Sequence, residues 1–355
     1  MKVLYAIQGT GNGHLSRAEE IVPILKKYTE TTVLVSSSQS QISSNFEIDY
    51  KKQGLTFFSG KNGKVNLMNT VFKSHPIDFF NEIRTFPVWN YDLVLTDFEP
   101  VSAWSALMHG IPCIEMSHQA AVINPNSPKP DEKNLVGKYI LNHYCPSKEK
   151  IGFHFEAYDN KIYTPVIRKE ILDADAKKQD YYTVYLPAFS DEAILHFLKQ
   201  FPVKWEVFSK YTTHKQQFGN VIFNPINQND FQKSLINCTG VLCGAGFELP
   251  AEAIYLRKKL LVIPMKGQYE QQCNAFALKN LGVTVIENLN LIQHRTLNLW
   301  LNSENKLQIN YENHIETLIL KTLHDFELKL SQKRNYELYT EKSILEKLSV
   351  LKYLF

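Results

Sequence analysis

The chain alternates short β-rich runs with helical stretches, breaks off, and then begins the same alternation again. The first series runs through "KVLYAI", "HLSRAEEIVPILKKY", "TTVLVSS", "YDLVLTD", "EPVSAWSALMHG" and "PCIEM", within the first 125 residues. The second opens with "YYTVYLPAFSDEAILHFLKQF" and continues through "KWEVFS", "NVIFNPI", "TGVLCGAGF" and "KLLVIP". Strands separated by helices form βαβ units, and such crossovers make a sheet parallel. A chain of 355 residues also exceeds what one core usually holds. The expected class is therefore α/β with two Rossmann-like domains, residues 1–163 and 164–334. Residues 163–178 serve as linker, because Pro165 stops the preceding strand and a charged stretch follows. From about Leu297 onward the pattern is helical, mixed in charge and free of Gly and Pro, so residues 335–355 are expected to form a C-terminal helix that packs back on the first domain.

Composition excludes several functional classes. Hydrophobic residues at 44% and charged residues at 21% describe an ordinary packed protein. The net charge of +3 is too small to argue for a nucleic-acid partner. Five scattered cysteines form no CxxC pair and have no clustered histidines, which predicts reduced thiols in a cytoplasm rather than zinc or disulfides. No apolar run approaches the ~20 residues needed to cross a bilayer, and the first residues enter a strand pattern rather than an apolar leader.

The stretch "YAIQGTGNGHLSRA" places Gly9, Gly11 and Gly13 after the first strand and closes them with His14. From His14 to Tyr28, Leu15, Ala18, Ile21, Val22 and Leu25 recur at helical spacing, which assigns Arg17, Glu20 and Lys27 to the water-facing side. A glycine-rich turn at a helix start presents N–H groups beside the positive end of the helix dipole and favours an anion. The dinucleotide spacing GxGxxG is not met, and "VLVSSSQS" offers no acid after the second strand, which argues against NAD. Asp97 ends the apolar run of "LVLTDFEP", at the sheet edge where parallel α/β proteins collect site residues. Beside His14 it would fix the imidazole tautomer and make a general base; alternatively it caps the helix that follows, and Glu99 competes for either role.

In residues 241–282, "VLCGAGFELPAEAIYLRKKLLVIPMKGQYEQQCNAFALKNLG", a strand ends at Gly244 and a helix opens past Gly246, with Pro250 in its first turn. Glu252 follows on the second turn, where a carboxylate can accept bonds from ribose hydroxyls. Glu270 and Gln271 sit in a polar loop suited to sugar hydroxyls, and Asn274 begins the next helix.

Together these residues resemble the donor-binding half of GT-B glycosyltransferases, closest to UDP-glucuronosyltransferase-like enzymes and MurG-type N-acetylglucosaminyltransferases. "GNGHLSRA" and "GIPCIEMSHQ" are similar to first-domain segments of the same enzymes. The resemblance implies an acceptor-side first domain and a donor-binding second domain. It implies that Glu252 binds ribose, that Glu270 and Gln271 hold the donor sugar, and that Gly244, Ala245 and Gly246 face the diphosphate. It makes His14 the acceptor-activating base steered by Asp97, with Gly11, Asn12, Gly13 and His118 lining the acceptor side; His118 reads equally as a buried structural histidine. The departures are "LPAFSDE", where Ser190 replaces a glycine-rich loop, Ala245 in place of the usual Ser or Thr, and a first loop one residue different from the lipid-acceptor enzymes.

The implied activity is inverting hexosyl transfer from a nucleotide sugar, UDP-linked by the same resemblance, to an acceptor hydroxyl, with no metal and no cofactor. The acid pair Asp173 and Asp175 has the spacing metal-dependent transferases use, but it lies inside the charged linker. The alternatives are a nucleotide-sugar 2-epimerase of the same architecture and a non-catalytic sugar-nucleotide binding protein. The acceptor is expected to be a lipid, a small molecule or a glycan. Between Leu55 and Trp89, aromatics interleave with Lys61, Lys64, Lys73 and Arg84, a mixture suited either to peripheral contact with the inner face of an anionic membrane or to core packing of Phe72, Phe79 and Phe80.

Overall fold

The computed structural model describes residues 1–332 except 11, 38–43, 56–75, 132–133, 305–306 and 308. Residues 1–312 form one compact unit, and residues 313–355 a second, in which 315–332 are helical. The expected terminal helix at 335–355 lies outside the described residues.

The first unit holds two seven-stranded sheets. The first consists of β1 (Lys2–Gln8), β2 (Glu30–Ser36), β3 (Tyr50–Lys52), β4 (Leu93–Asp97), β5 (Cys113–Ser117), β6 (Glu149–Phe153) and β7 (Ile162–Tyr163). Its spatial order is β3-β2-β1-β4-β5-β6-β7, and every pair is parallel. Helices cover both faces of such a sheet, so its central strands must be apolar on both sides. Accordingly, Val3, Leu4, Tyr5, Ala6 and Ile7 of β1 are all fully buried.

The second sheet consists of β8 (Tyr182–Tyr185), β9 (Trp205–Ser209), β10 (Gln216–Phe218), β11 (Val221–Pro225), β12 (Gly240–Gly244), β13 (Lys259–Ile263) and β14 (Thr284–Val285). Its order, β10-β11-β9-β8-β12-β13-β14, repeats the central arrangement of the first, with only the β10–β11 edge antiparallel. Its core gathers Trp205, Phe197, Phe201, Leu242, Leu261 and Trp300.

Five helices position the site: α1 (Asn12–Tyr28), α2 (Pro100–His109), α3 (His118–Ile123), α4 (Glu248–Tyr255) and α5 (Tyr269–Asn280). On α1, Ala18, Ile21, Val22 and Leu25 are buried at the spacing expected of an apolar stripe. The two halves of this unit meet along a seam where α1 touches α4 and α3 touches α5. Tyr269 and Cys273 of α5 are buried in one cluster with Phe98, Val122 and Tyr144 of the first half. A Cβ added at Gly137 would come within 2.5 Å of the Tyr269 Cβ, so a residue without a side chain is needed for the halves to approach there.

Candidate functional site at the seam

In the first sheet the chain runs from β1 to β2 on one side, while β4 enters on the other. The C-terminal ends of β1 and β4 therefore flank the crevice in which open α/β sheets hold ligands. Asp97, the last residue of β4, pairs in register with Ile7 of β1. His14 lies in the first turn of α1, directly beyond the glycine loop. Its Nδ1 is 2.9 Å from Asp97 Oδ1, with Asp97 wholly buried and the imidazole 11% exposed.

Phe98 turns the chain sharply between Asp97 and Glu99, with φ of 57°, a left-handed conformation that a bulky residue seldom adopts. The turn sends the two carboxylates to different tasks. Glu99 caps α2, accepting from the Val101 amide at 2.8 Å and the Ser102 amide at 2.7 Å. Asp97 is left for His14. Of the two sequence-level alternatives, the cap belongs to Glu99.

Arg17 corrects the sequence reading. Its position in the helical pattern assigns it to water, but it is 2% exposed. Its Nε donates to Asp97 Oδ2 at 2.9 Å, one terminal nitrogen donates to Asp97 Oδ1 at 2.8 Å, and the other donates to Glu248 Oε1. A buried guanidinium needs such partners, because an unpaired charge removed from water costs several kcal/mol. The partners lie 80 and 231 positions away in the chain, beyond the reach of any local pattern. A local signal was nonetheless present, since residues three apart share a helix face and Arg17 stands three after His14.

The electrostatics follow from this packing. Burial pulls the His14 pKa down, but the charge and hydrogen bond of Asp97 outweigh it and, with help from Glu248 and against Arg17, leave it raised. Burial pushes the Asp97 carboxyl up, but Arg17 and His14 outweigh it and leave it lowered. With Nδ1 donating to a carboxylate, the lone pair of His14 is on Nε2. That nitrogen faces the Gln119 amide at 3.5 Å, and the same amide nitrogen donates to Glu270 Oε2 at 3.0 Å. Gln119 thus joins His14 to Glu270 across the seam. Its own Oε1 is buried without a partner.

The other predicted residues are placed less uniformly. Gly244 ends β12 and Ala245 is buried, while a Cβ at Gly246 would meet nothing within 4 Å, so the turn opens on free space. Phe247 starts α4 without a side-chain cap. Glu270 and Gln271 lie not in a loop but in the first turn of α5, where Gln271 turns back onto the preceding loop, its Oε1 accepting from the Met265 amide at 3.0 Å. Ser190 caps the helix Asp191–Leu198 and is exposed.

Two predicted residues are buried and already hydrogen-bonded. Glu252 does not present a free carboxylate: it is 4% exposed, and Arg168 donates to both of its oxygens, at 2.6 and 2.8 Å. His118 takes the buried placement of its two alternatives: it opens α3 at 1% exposure, with Nδ1 at 2.8 Å from the Phe153 carbonyl, Nε2 at 2.8 Å from Asn274 Oδ1, and its ring stacked on Phe247. Nε2 and the stacked ring reach the second half, while Nδ1 anchors the imidazole to β6 of its own half.

Gly11 lies outside the described residues, as do Lys61, Lys64, Phe72 and Lys73. Gly13 lies against Glu248, and a Cβ there would come within 2.7 Å of the Glu248 Cδ. Asn12 is the first residue of α1. Phe80 is 55% exposed, contrary to the core alternative, whereas Phe79 is partly buried. Asp173 is paired with Lys169 on the surface. Among the described residues, no three His, Cys, Asp or Glu side chains are grouped to hold a metal, and no helix is long and apolar enough to cross a membrane.

Solved structures share this architecture. The spinosyn rhamnosyltransferase SpnG superposes with a TM-score of 0.59 at 12% identity, over 91% of this chain and 100% of its own. A UDP-glucosyltransferase from Polygonum tinctorium capable of glucosylating indoxyl gives 0.56 at 14%, over 93% and 94%. MurG from Acinetobacter baumannii gives 0.52 at 17%, over 90% and 99%. These likenesses identify the fold as GT-B, two Rossmann-like domains facing a cleft. No curated protein matches the sequence significantly. A sequence profile described as Glycosyl transferase family 1 matches residues 1–303, which include both sheets and every contact described across the seam, so the chain belongs to glycosyl transferase family 1 and is a glycosyltransferase.

Proposed function

We propose that this protein transfers a hexosyl group from a nucleotide-sugar donor, UDP-linked by preference, to an acceptor hydroxyl, with inversion and without a metal or other cofactor. The observation that carries this reading is the His14–Asp97 pair, held at the strand-end crevice of the first half within one amide of Glu270 from the second. The acceptor hydroxyl enters from the first half and gives its proton to His14 Nε2 as its oxygen attacks the anomeric carbon. The bond from that carbon to the diphosphate breaks, and the nucleoside diphosphate leaves. A single displacement of this kind inverts the anomeric centre.

Asp97 holds the proton on Nδ1 and stabilises the imidazolium that forms. Glu270 accepts from donor-sugar hydroxyls, and the orphaned Gln119 carbonyl supplies a further acceptor beside it. The open turn at Gly244–Gly246, at the start of α4, supports a place for the diphosphate. Glu252 enters this scheme only if Arg168 leaves it. The acceptor is a lipid, a small molecule or a glycan, and the exposed Phe80 supports peripheral membrane contact as one route to it. Cytoplasmic location is part of the same proposal.

A thermal-shift panel of UDP and dTDP sugars tests donor binding, because a ligand at 100 times its Kd stabilises a fold by about 2.7 kcal/mol. Proton NMR of the product then reads the anomeric configuration. Stabilisation by a UDP sugar and an inverted product are expected. No shift with any donor, or retention, would overturn the reading.

A further inference from the structure

Arg17 presents a problem that the His14–Asp97 pair does not solve by itself. Its terminal nitrogen lies 3.2 Å from His14 Nδ1 and 2.8 Å from the same Asp97 oxygen that faces Nδ1. A guanidinium only donates, so it competes for Asp97 and offers a proton to the nitrogen that should carry its own. It also places a permanent positive charge beside an imidazole that must become positive. Glu248 answers both difficulties. Its carboxylate takes the other terminal nitrogen of Arg17, fixing the plane of the guanidinium beside His14, and supplies the missing negative charge.

We propose that Glu248, reaching across the seam from the second half, is a positioning residue for His14: through Arg17 it sets the tautomer and charge balance of the His14–Asp97 pair. The groups form a chain of alternating sign, Glu248, Arg17, Asp97 and His14. Its charges sum to zero when His14 is protonated and to minus one when it is neutral. The arrangement is therefore balanced for the imidazolium, the state reached after a proton is accepted. Without Glu248 the balance moves to plus one and zero, and protonation is disfavoured in a buried site.

The groups facing His14 are few: Asp97 from β4, Arg17 on its own helix, Glu248 from α4, and the Gln119 amide of α3 with Glu270 of α5 behind it. Tyr5 of β1 adds a buried phenol near Asp97 and Arg17. The pKa of His14 is raised against burial with Glu248 among the causes, in agreement with this balance. Gly13 supplies a separate observation. A Cβ at that position would collide with the Glu248 carboxylate, so the last glycine of the opening loop leaves room for a residue 235 positions away. Because Glu248 belongs to the second half, the base acquires its balanced state only where the two halves meet.

This inference rests on the reading of His14 as base, but it is tested independently of turnover. Ring-selective NMR of the full-length protein follows the His14 imidazole through a pH titration, with His14→Gln assigning the signal. Glu248→Gln is expected to move the His14 midpoint to lower pH, and Glu248→Asp to bring it back toward wild type. Gly13→Ala keeps the acidic charge but displaces the carboxylate, and is expected to shift the midpoint in the same direction by less. It also serves if Glu248→Gln fails to fold by circular dichroism. Where transfer is measured, the acid limb of kcat/KM moves down with the NMR midpoint. An unchanged His14 midpoint in the folded variants overturns the inference, whether or not any donor is turned over. Lost donor binding in the wild type overturns the proposed function and leaves the titration to decide this point.

Discussion

Two arginine–carboxylate pairs in this molecule are built alike and do different things. In both, an arginine uses Nε and one terminal nitrogen to hold both oxygens of a carboxylate 80 or more positions away, at 2.6 to 2.9 Å. Arg168–Glu252 fastens the linker to α4, with Glu19 and Glu170 adding charge near the guanidinium and no histidine on the carboxylate. Arg17–Asp97 continues at both ends, to Glu248 through the guanidinium and to His14 through the carboxylate. A histidine bonded to the carboxylate separates the two, since it leaves one pair a proton to place. Burial of a charged pair thus marks a site only when the pair is incomplete without a further group.

The comparison breaks most sharply at His14. His14→Ala should lower kcat by ~10²–10⁴-fold with little change in the donor KM, since a general base contributes in the transition state. Single-turnover rates at saturating donor would check it, and a loss below tenfold would place His14 with the inert pair. The next effect concerns stability. Arg168→Met or Glu252→Met alone should each cost about 3–5 kcal/mol by leaving a buried charge unpaired, whereas the double variant should lie near wild type. Urea denaturation of the three proteins measures this, and a donor KM unchanged in the double variant would exclude Glu252 from ribose binding.

The pH dependence sharpens the contrast. The folded pKa of His14 is raised above its ordinary 6.5, so its stabilising contribution is complete below that value and is lost as pH rises through the folded pKa. Asp97 is lowered from 3.8, so its contribution is present above that value and is lost as pH falls through the folded pKa. Activity runs the other way from the histidine term, because the base must be neutral, and the acid limb of kcat/KM is expected above 6.5. Urea midpoints against pH should decline on the alkaline side in the wild type and lose that decline in His14→Ala. The smallest effect belongs to Gln119→Leu. Losing the bond to the Glu270 carboxylate together with the contact to His14 Nε2 should lower kcat/KM by roughly tenfold, the equivalent of about 1.5 kcal/mol, and steady-state kinetics with the preferred donor would show it.

Much of the framework was legible before any coordinates. The two runs of alternating strands and helices, the helix closed onto the glycine loop by His14, and Asp97 at a strand end all follow from patterns spanning fewer than twenty neighbouring residues, in which side-chain period and strand-end position are local properties. The Glu99 cap was visible in the same way, although only the turn at Phe98 separated its task from that of Asp97.

Tertiary structure decided which charges are paired, and therefore which are buried. Arg17 reads as a solvated helix residue until Asp97 and Glu248 are brought to it, and Glu252 reads as an open ligand for ribose until Arg168 fills it. His118 reads equally as a lining or a buried residue until Phe153 and Asn274 take its two nitrogens. Apolar burial repeats with the period of the helix or strand and is written locally, whereas a charge enters the interior only with a partner of opposite sign. Here those partners lie 80 to 231 positions away.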